Sequence, residues 1–147
     1  MTSRERVLAA INHQQPDRIP IDFGATGQTG ISVCALKRLR DYLGLPQKDL
    51  DVFEIVQMLG VVDEDLRQVM KSDVIGMNHP EDSLGVPYTG KKKEFTMPDG
   101  TKCMVNAGNE WDIKPDGSIE MYPQGDRTAP PSIHMPAGGY FFDIIDR

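Results

Sequence analysis

Pro16-Asp17-Arg18-Ile19-Pro20-Ile21-Asp22-Phe23-Gly24 is the stretch whose reading decides the fold. Ile19, Ile21 and Phe23 alternate with Pro20 and Asp22, the period-two pattern of a strand. The stretch opens into Gly24-Ala25-Thr26-Gly27-Gln28-Thr29-Gly30, a flexible polar loop. An amphipathic run lies on each side. Helix, strand, glycine loop, helix is how an α/β enzyme often begins, and such folds place substrates where a strand's C-terminal end meets a loop. Asp22, Gly24 and Thr26 are therefore candidate substrate or cofactor contacts. The plainer alternative is loop geometry, with Asp22 accepting from a backbone amide.

Outward from that strand, Thr2-Ser3-Arg4-Glu5 matches a capping box, and Val7, Leu8 and Ile11 follow at helical spacing. The pattern predicts a helix over residues 3–13, with Pro16 just beyond it. On the other side, Ile31, Ala35, Leu39, Tyr42 and Leu43 define one face of a second helix, stopped by Gly44 and Pro46. Residues 50–61 fit neither the helical nor the strand period. Asp63-Glu64-Asp65 opens a third helix with acids in its first turn, and Leu66, Val69 and Met70 are its apolar face. Asp73-Val74-Ile75-Gly76-Met77 reads as a second strand, running into the polar loop Asn78-His79-Pro80-Glu81-Asp82-Ser83. Strand, helix, strand over residues 19–77 is long enough for a parallel crossover. Asn78 and His79 at the strand's end are further candidates, for a metal site or general base with Glu81 and Asp82. Pro80 breaks any regular spacing, so a solvated loop is the alternative there.

Beyond residue 85 the character changes. Met97-Pro98-Asp99-Gly100 and Lys114-Pro115-Asp116-Gly117 are turn sequences: proline pre-sets φ and glycine takes the position that needs positive φ. They join residues 93–97 to 101–105, and 110–113 to 118–122. Residues 126–139 read as irregular loop, and Tyr140-Phe141-Phe142-Asp143-Ile144-Ile145 as a strongly apolar run. Trp111, the single tryptophan, is a core anchor of this antiparallel excursion or a pocket wall. The organisation expected is one domain in three stretches: 1–84, the helix and first βα units; 85–135, the excursion; 136–147, the next segment.

The composition is globular, with 39% hydrophobic and 26% charged residues among 147. A net charge of −6 and a single basic run, Lys91-Lys92-Lys93, argue against nucleic acid. The N-terminus lacks the apolar core of a signal peptide, and no apolar run nears the roughly 20 residues of a membrane span. Cys34 and Cys103 have no metal-ligand spacing and read as buried free thiols in a reducing cytoplasm. His13 and His134 read as surface residues, and residues 24–30 lack the GxGxxG spacing of a dinucleotide site.

Four segments together resemble the uroporphyrinogen decarboxylase superfamily. They are residues 4–13 with Pro16-Asp17-Arg18-Ile19-Pro20; Ser72-Asp73-Val74; Asn109-Glu110-Trp111; and Pro136-Ala137-Gly138-Gly139-Tyr140-Phe141-Phe142-Asp143. The likeness is nearest to the decarboxylase-like and corrinoid-dependent methyltransferase branch. It implies an α/β fold, the N-terminal portion of a (β/α)8 barrel of about 250 residues, carrying an antiparallel β-hairpin excursion. It also implies that this chain alone is inactive, and that unpaired strand edges lead it to self-associate.

The decarboxylases of the family carry a Met-Arg-Gln-Ala-Gly-Arg-type segment after the first strand, whose arginines pair with substrate carboxylates. Here that place reads Phe23-Gly24-Ala25-Thr26-Gly27-Gln28-Thr29, without arginine. Their catalytic aspartate ends the second strand, where this chain has Met77, Asn78 and His79. Both departures favour the methyltransferase branch, in which zinc activates a thiol for methyl transfer with a corrinoid. That resemblance implies zinc and a corrinoid, a small-molecule substrate or a corrinoid protein as partner, and metal ligands beyond Arg147. No metal ligand is assigned within the chain. The alternatives are a tetrapyrrole decarboxylase and a non-catalytic binding module.

Overall fold

A computed structural model describes residues 1–77 and 79–145. In chain order the elements are α1 (Ser3–Ile11), β1 (Ile31–Ser32), α2 (Val33–Tyr42), β2 (Val52–Glu54), β3 (Leu59–Gly60), α3 (Glu64–Met70), β4 (Lys92–Thr96), β5 (Lys102–Asn106), β6 (Trp111–Ile113), β7 (Ile119–Met121), β8 (Ile133–Met135) and β9 (Asp143–Ile144). They divide into two units, residues 1–30 with 62–77 and residues 31–61 with 78–147.

The first unit holds α1 and α3. Thr2 caps α1 as its sequence predicts: the Glu5 amide donates to the Thr2 hydroxyl, and the Thr2 amide donates to the Glu5 carboxylate. The helix stops at Ile11, earlier than the periodicity suggested, because His13 turns to a positive φ of 56°. Leu66 of α3 is fully buried, while Val69 is exposed.

The second unit is built from antiparallel pairings. β1, β3 and β2 form one sheet, β4 and β5 a hairpin, and β6, β7, β8 and β9 a four-stranded meander in sequence order. Residues 50–61, ambiguous in sequence, form a short irregular hairpin whose register shifts between Val52 and Glu54. Two opposite needs explain the mixed pattern: a bulge breaks period two, and Met58 takes a positive φ at the turn. The x-Pro-Asp-Gly turns close β4–β5 and β6–β7, with Gly100 and Gly117 at φ of 84° and 85°. Val33, Leu36 and Arg40 form the buried face of α2, rather than the face through Ala35 and Tyr42, both exposed. A Cβ on Gly60 would fall 2.4 Å from Leu36, so glycine lets β3 pass close beneath α2.

The expected fold class is overturned: the described residues build three helices and three mostly antiparallel sheets, not the N-terminal part of a (β/α)8 barrel. Neither of the two expected parallel strands forms. Residues 19–23 and 73–77 do lie side by side, but a single backbone hydrogen bond links them, from the Asp73 amide to the Ile21 carbonyl at 2.7 Å. Side chains take two further donors. The Ile21 amide donates to the Asp73 carboxylate at 2.9 Å, and the Phe23 amide to the Ser72 hydroxyl at 3.2 Å. Pro20 has no amide to give. Alternation therefore marked extended backbone, without marking a ladder. Ile19, Ile75 and Met77 stay 83%, 68% and 98% exposed. The expected irregular loop over residues 126–139 also needs correction, since it contains β8, the partner of both β7 and β9.

Candidate functional site

The polar loop after residue 21 is held from below by an ion network. Arg6 donates to both oxygens of Asp17, at 2.7 and 2.9 Å, and to Asp73 at 2.5 Å. Arg18 reaches both oxygens of Asp73, at 2.6 and 3.0 Å. The Asp73 side chain is wholly enclosed, at 0% exposure. Burial alone would raise its carboxyl pKa. The Ile21 amide and the two arginines outweigh that and hold it well below the usual carboxylate range. Asp17 is held low in the same sense, chiefly by Arg6. The paired amide and carbonyl of Ile21 therefore have fixed positions where the loop begins.

Asp22, Gly24 and Thr26 all lie in that loop. Asp22 Oδ1 accepts the Ala25 amide at 3.2 Å and the Thr29 hydroxyl at 3.0 Å. The Gly24 amide closes the loop onto the Thr29 carbonyl at 2.8 Å. Gly24 has φ of 84°, and a Cβ there would meet Val62 at 2.2 Å, so both backbone and space require glycine. The Thr26 and Thr29 hydroxyls are 3.2 Å apart. Asp22 and Thr26 are exposed and present a carboxylate and a hydroxyl, a set suited to a substrate hydroxyl or ammonium group.

The remaining sequence candidates belong to the second unit. Asn78 lies outside the described residues. His79 is exposed, with Nδ1 2.9 Å from the Glu81 carbonyl. Trp111 is half-buried in β6 rather than a core anchor: Phe95 meets it edge-on at 5.2 Å, and Lys93 Nζ sits 4.3 Å from its ring centre. Around it Lys93 pairs with Glu110 at 2.8 Å, and Arg127 bridges Glu110 and Asp112.

Sequence reasoning missed a cleft in this unit. It has a volume of about 440 Å³ and is lined by Glu54, Val56, Leu84, Pro123, Ile133 and Ile144, among others. Glu54 sits in the 50–61 stretch that fits no period, and its neighbours in space come from distant loops. The one available signal was a carboxylate two residues before Val56 and three before Gln57, the spacing at which it caps their amides.

The described residues do not fit a zinc site. Among the described residues no group of three or more His, Cys, Asp and Glu side chains could hold a metal ion. Both cysteines are free and buried; burial raises the thiol pKa of Cys34 and pushes that of Cys103 up to about 12. No helix among the described residues is long and apolar enough to cross a membrane. Comparison with protein-family models, curated proteins and solved structures finds no match to the chain.

Proposed function

We propose that the chain is a segment of an enzyme acting on a small molecule, and that the full-length protein carries out zinc- and corrinoid-dependent methyl transfer. One observation carries the reading. Arg6, Asp17, Arg18 and Asp73, four of the residues on which the superfamily resemblance rests, form one connected network, and that network fixes the base of the loop bearing Asp22 and Thr26. The reading rests on these residues and not on a barrel. Asp22 and Thr26 contact the substrate in this proposal; zinc and corrinoid are held by residues or a partner outside this chain. Two buried reduced cysteines support a cytoplasmic setting. Exposed Ile19, Ile75 and Met77 support self-association of the isolated chain. Decarboxylation of a tetrapyrrole has less support, because residues 24–29 offer no cation and Arg18 is committed to Asp73.

The test is an assay of the product of the intact reading frame, loaded with zinc and given methylcobalamin and a free thiol. Methylation of the thiol supports the proposal. Conversion of uroporphyrinogen without any corrinoid overturns it.

A further inference from the structure

The cleft around Glu54 combines an apolar surface with a carboxylate that pairs with no cation among the described residues. Val56, Leu84, Pro123, Ile133 and Ile144 supply the apolar lining. Glu54 Oε1 accepts the Ser83 hydroxyl at 2.6 Å and the Val56 amide at 3.2 Å, and Oε2 accepts the Gln57 amide at 2.6 Å. All three donors are neutral. Among the described residues no cation pairs with Glu54. A carboxylate has about four lone-pair positions, so one on Oε2 remains open. Tyr88, whose hydroxyl donates to the Phe53 carbonyl, feels the same negative field: burial first, then Asp82 and Glu54, push its phenol up to about 12.

We propose that this cleft binds a small organic cation, a primary ammonium group on an apolar body. The ammonium donates to the open position of Glu54, a charge-assisted bond of the stronger class. The body covers Leu84, Ile133 and Ile144, and Ile144 is otherwise 73% exposed. The site shares no residue with the loop of residues 22–29 and is independent of the methyl-transfer reading. A neutral molecule of the same shape gains the apolar contact but no charge-assisted bond. An anion is repelled.

The experiment titrates the isotopically labelled chain with 2-phenylethylammonium and, separately, with 2-phenylethanol, following backbone amide shifts. The ammonium compound should saturably shift the amides of Val56, Gln57 and Leu84, and bind at least about tenfold more tightly than the alcohol. Its affinity should fall as salt rises, while that of the alcohol should not. Glu54→Gln keeps one of the two acceptor oxygens, replaces the other with an NH2 that only donates, and removes the charge; it should cancel the preference for the amine. Equal affinity for the two compounds overturns the proposal, as does no saturable shift at these amides up to about 10 mM ligand. The comparison needs only the wild-type chain, so it decides the question even if Glu54→Gln fails to fold.

Discussion

Replacing Asp73 with alanine removes the centre of the ion network under the loop. Its side chain is fully enclosed and bonded to Arg6 at 2.5 Å, to Arg18 at 2.6 Å and to the Ile21 amide at 2.9 Å. Breaking a buried ion pair by removing one partner costs roughly 3–5 kcal/mol, because the other charge is left uncompensated. Arg6 keeps both bonds to Asp17, and Arg18 is 34% exposed, so water reaches it. The low end, about 3 kcal/mol, is therefore expected. For a chain of this size that is a fall of about 6–12 °C in Tm, read by far-UV circular dichroism. The pH dependence has a definite sign. The folded carboxyl has a lowered pKa, so its contribution is complete above the unfolded value, near pH 4, and is lost as pH falls further. The gap between wild type and Asp73→Ala should be widest near pH 7 and shrink from about pH 4 downward. A loss below about 1 kcal/mol at pH 7, the scale of an exposed pair, would refute the reasoning. So would a gap that stays constant down to the acid transition.

Gly76→Ala should destabilise the chain by about 1–3 kcal/mol in urea melts, because its Cβ would fall 2.2 Å from the Ala25 carbonyl oxygen and force backbone to move. Gly27→Ala meets nothing within 4 Å and should change stability by less than about 0.5 kcal/mol; equal effects would contradict the packing assigned to Gly76. The thiols should resist labelling by an aromatic disulfide reagent in the native chain and react fully once guanidinium unfolds it. For Cys103 the rise from 9.0 to about 12 cuts the thiolate at pH 8 by about a thousandfold. Immediate native labelling of either cysteine would show that it is not buried as described.

Features written in adjacent residues were legible from sequence. The Thr2–Glu5 capping box and the Gly100 and Gly117 turns are fixed by a few neighbouring side chains and a positive φ, and each appears where expected. The two central strands were not. Their alternation is real, yet whether a strand becomes a ladder depends on who takes its amides, and here Asp73 and Ser72 take those of Ile21 and Phe23. Asp73 opens the expected second strand, and its position there lets it gather Arg6 and Arg18 from residues far away in sequence. The exposed side chains Ile19 and Met77 show why apolar periodicity alone could not place the core. The loop of residues 22–29 was visible through its glycines and threonines, whereas the Glu54 cleft depends on loops brought together only by folding.

The most direct test of the functional reading compares wild type with Asp22→Asn in the product of the intact reading frame, assayed for zinc- and methylcobalamin-dependent thiol methylation. Asp22 is exposed, so the variant should melt with the wild type. A hydrogen bond to a charged group contributes about 1.5–3 kcal/mol, so kcat/KM should fall by roughly 10–100-fold. No methyl transfer by the wild-type protein, or full activity in Asp22→Asn, would contradict the assignment of this loop as the substrate contact of a methyl-transferring enzyme.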